Sequence, residues 1–371
     1  MCKANEIIEM HSTWLTINSI VGCTNGCKYC FLQSTNDNLK KPATKASAEY
    51  AFSLLLKSKY FDKNIPVCLL PNTDPFLNEN NINYTKELLE LTSQNKLTNP
   101  IILITKCLIP KYFIEFLKEL QEKGLTIVIY LSFSGLDSSY EPNINHEHIK
   151  ENFKNLAANN IPIVHYYRPF IPANSNPAKM KEILDFVHQY TKISKITGLN
   201  VKSSYFDKLS FWPELQKRKE ECLKALAVWP KDAYEFFHKD YNHVQNVFQT
   251  NACALAQILK KASPAHYGTK ECLMYNHCSE EQRKRCSLLK KENTNLKEKL
   301  IYLLDKIEKN NNDIIIEISN NLIKIKNSDL TIGDCAYLTF MLGTKVCIET
   351  KLENDNYFNS SYTNAEHLII E

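Results

Sequence analysis

Residues 22–31 read Gly-Cys-Thr-Asn-Gly-Cys-Lys-Tyr-Cys-Phe, which sets Cys23, Cys27 and Cys30 in a C-x3-C-x2-C spacing directly after an apolar run. Soft thiolates select iron–sulfur clusters or zinc, and ligands this closely spaced wrap one face of a cluster. Three cysteines on four irons leave one iron without a protein ligand, open to a small molecule that accepts an electron. Zinc, the other reading, wants a fourth ligand nearby, and His11 across the strand is the closest candidate. Gly22 and Gly26 supply the backbone freedom that a tight ligand loop needs.

A second set, Cys253, Cys272, Cys278 and Cys286, has gaps of 18, 5 and 7 residues. Four thiols in a polar, irregular stretch match the ligand count of a closed metal site. A second [4Fe–4S] cluster and zinc both accept four thiolates, and His277 beside Cys278 can replace one of them in a zinc site. Unligated thiols are the third reading. Thirteen cysteines fit a reducing compartment better as metal ligands than as disulfides. The start of the chain turns acidic and amphipathic, with no signal-peptide core, and no apolar run has the length of a membrane span. A cytoplasmic protein without membrane contact is the expectation. The 44% hydrophobic and 23% charged residues are those of an ordinary globular protein, and a net charge of +4 permits an anionic partner without requiring one.

Apolar, β-branched runs alternate with helix-period segments as far as residue 200. The strands are expected at Trp14–Val21, Ile65–Leu70, Pro100–Thr105, Thr126–Phe133, Pro162–Tyr167 and Ser194–Asn200. Helices are expected near 45–59, 82–95, 110–123, 146–159 and 177–191. That alternation predicts an α/β fold, a partial (β/α)6 TIM-type barrel of parallel strands over 1–210. A helical and cysteine-rich region over 211–309 follows, then a small α+β unit over 310–371, after the Asn310-Asn311-Asn312 break. In such a barrel the chemistry belongs at the C-terminal ends of the strands. Polar groups follow every apolar run: the cysteine loop, Asn72-Thr73-Asp74, Thr105-Lys106-Cys107, Ser132-Phe133-Ser134, Arg168 and Asn200.

The C-x3-C-x2-C spacing, with the aromatic Tyr29 before its third cysteine, resembles the signature of the radical S-adenosylmethionine (SAM) superfamily. The resemblance implies a [4Fe–4S] cluster whose open iron is chelated by the amino and carboxylate groups of SAM. Reductive cleavage then gives a 5′-deoxyadenosyl radical that abstracts a substrate hydrogen, with an electron donor such as flavodoxin or ferredoxin. Asn72-Thr73-Asp74-Pro75-Phe76, Glu141-Pro142 and Arg168-Pro169-Phe170-Ile171-Pro172 resemble landmarks of the spore photoproduct lyase-like branch across residues 1–200. The Gly-Gly-Glu stretch of many relatives is missing, so Asp74 with Asn72 is the natural substitute for holding the SAM ammonium. Ser132 and Ser134 then serve the ribose hydroxyls or the carboxylate, and Arg168 the carboxylate.

Plainer readings stand beside these. Asp74-Pro75 also reads as a turn and Arg168 as an ion-paired rim residue. Cys68 and Cys107 read as small buried residues, with a hydrogen-donor role for Cys107 as the sharper alternative. His165 reads as a core histidine. Spore photoproduct lyase is not expected to carry the second cysteine set, so its DNA repair does not transfer. Segment 255–310 holds twelve Lys/Arg against seven Asp/Glu, downstream of Phe211, Trp212, Trp229, Tyr234, Phe236 and Phe237. A basic surface with stacking platforms for nucleic acid is one reading and a solvated helix face the other. A peptide or protein substrate with an auxiliary cluster is the alternative enzyme. An iron–sulfur electron carrier or a zinc-stabilised binding protein is the alternative that is not an enzyme.

Overall fold

The computed structural model describes residues 7–34, 41–241, 243–263, 277–291, 295–310, 313–319, 322–326, 328–348 and 367–371. Strands β1 (Ile8–Met10) and β2 (Leu15–Ile17) form a hairpin, and β3 (Ile20–Val21) pairs with β4 (Ala43–Thr44) beside the cysteine loop. β5 (Val67–Leu69), β6 (Ile101–Thr105), β7 (Ile127–Leu131), β8 (Ile163–Phe170) and β9 (Ser194–Gly198) continue the inner wall. After β10 (Val228–Pro230), β11 (Val247–Phe248) adds to its far edge. The eight-stranded sheet runs β1-β2-β5-β6-β7-β8-β9-β11, parallel throughout except for the β1–β2 pair. Among the described residues β1 and β11 are the outer edges of this sheet, so the barrel is partial.

Parallel strands covered on both faces need apolar residues at every position, and Ile127-Val128-Ile129-Tyr130-Leu131 is wholly buried. Helices α1 (Ala48–Lys57), α2 (Glu79–Gln94), α3 (Lys111–Glu122), α4 (His146–Ala158) and α5 (Pro177–Val187) pack outside, as the sequence predicts. Four of them begin on a side-chain cap, Ser47, Asn78, Asn145 and Asn176, whose oxygens accept from otherwise orphaned first-turn N–H groups. Those caps fix where each loop stops, and so where each strand-end side chain points.

Beyond residue 200 the expectation needs correction. The region expected to be helical over 211–309 also carries strands: short turns of helix flank β10 and β11. Three of the aromatics read as stacking platforms, Trp212, Trp229 and Phe237, are wholly buried, and Trp229 stacks on Phe170 at 5.4 Å. Rings of this size release more free energy in a core than on a surface, which explains their place. The supposedly irregular stretch holds helices α6 (Asn251–Ile258) and α7 (Glu280–Lys291). Helix α8 (Leu296–Lys306) precedes a β-β-α-β unit of β12 (Ile315–Ser319), β13 (Leu322–Lys326), α9 (Ile332–Leu342) and β14 (Lys345–Ile348). The last strand, β15 (Leu368–Ile370), returns to pair with β10. A chain of hydrogen bonds holds that return: Trp229 Nε1 donates to His367 Nδ1 (3.3 Å), and Gln249 bridges His367 and His238.

Candidate active site

Gly22 and Gly26 both have positive φ, +106° and +68°. A Cβ on Gly22 would stand 3.2 Å from the Pro42 Cα, so sterics as well as φ keep this position glycine. The loop is tied down along its length. Gly22 N–H donates to the Asn72 carbonyl (3.0 Å), Lys28 N–H to that of Tyr140 (3.0 Å), and the Asn143 amide to that of Thr24 (2.7 Å). Cys23, Cys27 and Cys30 consequently line one cavity of about 920 Å³, together with Tyr29, Asn72, Asp74, Ser132 and Arg168. The structure thus gathers five of the six proposed cofactor-binding residues around the three thiols.

Ser134 is the exception. It is fully buried outside the lining and donates to Glu141 Oε1 (2.8 Å). Cys107 also stands one residue back, its Sγ 3.6 Å from the Asn25 amide, and Asn25 rather than Cys107 lines the cavity. His165 is a satisfied core histidine: its ring nitrogens meet Ser194 Oγ (3.1 Å) and the Phe133 carbonyl (3.0 Å), and burial pulls its pKa down to about 3.

Two carboxylates organise the rim. Asp74 accepts from Phe76 N–H (3.0 Å), Thr105 Oγ1 (2.7 Å) and Lys106 N–H (2.8 Å), which locks the ends of β5 and β6 together. The Cys107 thiol also meets this carboxylate, so its roughly four acceptor directions are shared among the protein's own donors. Burial pushes the Asp74 pKa upward, against those hydrogen bonds. Glu141 is wholly buried; it accepts from Tyr29, from Lys106 Nζ (2.8 Å) and from Ser134, while its second oxygen lies 3.0 Å from His146 Nε2. Burial pushes its pKa up, but Lys106 and the other donors outweigh that and hold it at about 2. Lys106, Asn25 and Glu141 carry no assigned role in the sequence reading, although Lys106 lies in a strand-end motif and Glu141 in a landmark singled out there. The missing signal is spatial: Lys106 and Glu141 are 35 residues apart.

Burial pushes the thiols up, Cys27 to about 12, and Cys23 and Cys30 likewise upward; Lys106 opposes this at Cys27 and Cys30, joined by Arg168 at Cys30. Such thiols become good ligands only with a strong cationic centre at hand, and bound metal ions supply that charge. Among the described residues, no three His, Cys, Asp or Glu side chains are placed to hold a single metal ion. A [4Fe–4S] cluster spreads its ligands over separate irons, and three thiols of one glycine-hinged loop facing one cavity fit that demand.

The second cysteine set lies elsewhere. Cys253 Sγ is 3.8 Å from Ser263 Oγ, and Ser263 N–H and the Gln282 amide donate to Cys286 Sγ at 3.3 and 3.4 Å. Cys278 and Cys253 pack on the same apolar patch, and Cys272 lies outside the described residues. His277 is not free to replace a cysteine. Its two nitrogens face the carbonyls of Val244 (2.8 Å) and Phe237 (3.1 Å). The C-terminal unit reaches the main cavity too: Thr331, Ile332 and Gly333 line it, with Asp334 held by Lys59 (2.6 Å) and Tyr60 (2.9 Å). Among the described residues, no helix is long and apolar enough to cross a membrane.

A partial parallel barrel with a three-cysteine loop at its strand ends defines a class of enzyme. Residues 17–187 match the family model of the Radical SAM superfamily, so the chain carries a Radical SAM domain, which supports an enzyme. That family implies a [4Fe–4S] cluster, SAM and an electron donor. No curated protein matches the chain. Among solved structures, spore photoproduct lyase complexed with dinucleoside spore photoproduct is similar at 11% identity and a TM-score of 0.42 over 54% of this chain and 61% of that one. A radical SAM methyltransferase from Sphaerobacter thermophilus is similar at 15% identity and a TM-score of 0.40, over 53% of this chain and 59% of that one. Streptococcus suis SuiB bound to S-adenosylmethionine is similar at 16% identity and a TM-score of 0.40, over 55% and 48%. The chain therefore spans less than two thirds of the length of each.

Proposed function

We propose that Cys23, Cys27 and Cys30 hold a [4Fe–4S] cluster at which SAM is reductively cleaved, so that hydrogen is abstracted from a substrate in the adjoining cavity. The observation that carries this reading is the convergence of the three thiols with the polar ends of β5, β6, β7 and β8 on one cavity. The cluster, when bound, supplies the electron that breaks a carbon–sulfur bond of SAM. The protein's own groups position the molecule. Asp74 and Asn72 face its ammonium, Arg168 and Ser132 its carboxylate, and Tyr29 closes the wall beside the cysteines. Glu141 and Lys106 act one step back, holding Tyr29 in place and offsetting thiolate charge.

At about 920 Å³ the cavity lies at the upper end of the usual ligand-site range of ~300–1,000 Å³, so it accommodates SAM and part of a substrate. A nucleic acid is the substrate class proposed first. Its support is the cavity's cationic rim, Lys57, Arg168 and Lys202 against Glu9 and Asp74, with Lys59 and Lys106 already paired to Asp334 and Glu141; the buried Trp212, Trp229 and Phe237 no longer add to it. The convergence of Asp74, Lys106 and Glu141 supports placement in the spore photoproduct lyase-like branch, because all three lie in or between its landmarks. The peptide or protein alternative is favoured by one observation, the meeting of Cys253 and Cys286 at Ser263, which suits an auxiliary [4Fe–4S] cluster with amide donors to sulfur.

The test is anaerobic reconstitution with iron and sulfide, reduction, and assay for 5′-deoxyadenosine with SAM alone, then with added oligonucleotides and peptides. The reading requires 5′-deoxyadenosine in every case and faster formation with one polymer class.

A further inference from the structure

Successive residues of a strand point to opposite faces, so every second residue of β6, β7 and β8 turns away from the outer helices and into the barrel. Ile102, Tyr130 and Tyr166 do so, and they pack there with Trp14 and with Leu255 of α6. The first residue of α6, Asn251, is tied to this interior: the Tyr130 hydroxyl donates to its backbone carbonyl at 3.1 Å. Asn251, Trp14, Ile104 and Tyr166 all line the main cavity, which therefore runs from the cysteine loop into the barrel interior.

The walls at this end are aromatic and apolar. Trp14 and Tyr166 are each 6% exposed, and Tyr130 stands edge-on to both, with ring centroids 5.6 and 5.4 Å away. The Tyr166 hydroxyl already accepts from Arg168 Nη1 at 2.8 Å. The Asn251 side chain differs from these groups. Its Oδ1 is buried and has no hydrogen-bond partner among the described residues. Buried polar atoms are nearly always satisfied, and one left unpaired costs free energy that an apolar side chain here would avoid. An amide carries an acceptor and a donor side by side, and a nucleobase edge presents the complementary pair in one plane. Flipped bases are read in this way, by edge hydrogen bonds between aromatic and apolar side chains. A peptide amide offers the same pair but not the flat ring that Trp14, Ile104 and Tyr166 would enclose. The exposed Lys57, which lines the same cavity, suits the phosphate that stays outside.

We infer that the barrel interior is a nucleobase subsite, in which Asn251 holds the edge of a single unstacked base against Trp14, Ile104 and Tyr166. This deepens the proposed function by making Asn251 a specificity-determining residue, and it rests on the reading of the cavity as a site for a nucleic-acid substrate.

Fluorescently labelled short single strands of adenine, cytosine or thymine nucleotides, and an abasic strand of the same length, are titrated into the reconstituted full chain and its Asn251→Leu and Asn251→Asp variants, with binding read by anisotropy. The wild type should bind at least one base-bearing strand about ten-fold or more tighter than the abasic strand, as expected for a bidentate amide contact. Asn251→Leu should erase that margin and leave the abasic affinity unchanged. Asn251→Asp keeps acceptors but loses the donor, and should erase most of it. Without ligand, Asn251→Leu should melt no lower than the wild type, because no side-chain hydrogen bond is lost; a purely structural asparagine would give a clear fall. Should Asn251→Leu fail to fold, the near-isosteric Asn251→Asp decides. A margin that survives the substitution, or a wild type that binds base-bearing and abasic strands alike, overturns the proposal. So does binding of peptides in place of every strand. Binding is read whether or not SAM is cleaved, and 5′-deoxyadenosine formed from SAM alone by the same preparation tests the proposed chemistry separately, so the two failures are distinguishable.

Discussion

The two places where cysteines gather are built on opposite principles. Cys23, Cys27 and Cys30 sit on one glycine-hinged loop, held by backbone hydrogen bonds and surrounded by Asp74, Lys106, Glu141 and Arg168. Cys253 and Cys286 come from two helices, with Ser263 and Gln282 among their polar neighbours, and Cys253 packs against apolar barrel residues. Local spacing is enough to organise the first set. Tertiary packing must organise the second. The charged setting also suits a site where SAM, itself carrying an ammonium and a carboxylate, must be held; the apolar one suits a closed site that binds nothing else.

The difference is broken most severely through Glu141. Glu141→Ala leaves the Lys106 ammonium without its buried partner, and removal of one member of a buried pair costs about 3–5 kcal/mol. Denaturant unfolding should show that loss, and the variant should take up less iron at the first site than at the second. An equal loss at both would mean that the charged network serves the whole fold and not the loop.

Asp74 gives the next effect. Asp74→Asn keeps the shape and removes the charge, so SAM affinity should fall about ten- to hundred-fold as a charge-assisted hydrogen bond is lost. Iron content should stay near wild type. Unchanged affinity would leave Asp74 as the clamp between β5 and β6 alone.

Replacing Cys253, Cys272, Cys278 and Cys286 with Ser should remove only the iron exceeding one cluster, measured by iron and sulfide analysis of reconstituted protein. Zinc in its place would make the second site structural, and iron equal to one cluster in both proteins would leave those thiols without a metal.

A smaller effect is pH-dependent. Glu141 has a folded-state pKa of about 2, below its ordinary 4.5, so its contribution to stability is complete above about pH 4.5 and fades as the pH falls toward 2. Glu141→Gln should flatten that acid limb of the stability profile. The smallest change is expected of Lys59→Met at the C-terminal unit. Its pair with Asp334 is partly exposed at Lys59, so the loss should stay near ~1 kcal/mol in thermal unfolding.

The inner strands are legible in the sequence because burial on both faces demands uninterrupted apolar runs, and the outer helices because their apolar residues recur at helix period on the face they bury. Edge strands β1 and β11, three and two residues long, leave no such run. Trp14–Val21 reads as one strand but divides at Asn18-Ser19, where the sheet strand ends and the β3–β4 pair begins. The cysteine loop is legible because its ligands are neighbours in sequence. The roles of Lys106 and Ser134 are not, since each depends on Glu141, which faces it from another part of the chain. Aromatic clusters mislead for a related reason. Trp212 and Trp229 look like binding platforms until packing against the barrel is known.

The central claim is that the first cysteine loop cleaves SAM, and the direct measurement is 5′-deoxyadenosine formed by anaerobically reconstituted, dithionite-reduced protein. The wild type should form it, and the variant with Cys23, Cys27 and Cys30 all changed to Ala should form none and lose about four irons per chain. A triple variant that still produces 5′-deoxyadenosine, or a fully iron-loaded wild type that produces none while binding SAM, would contradict it.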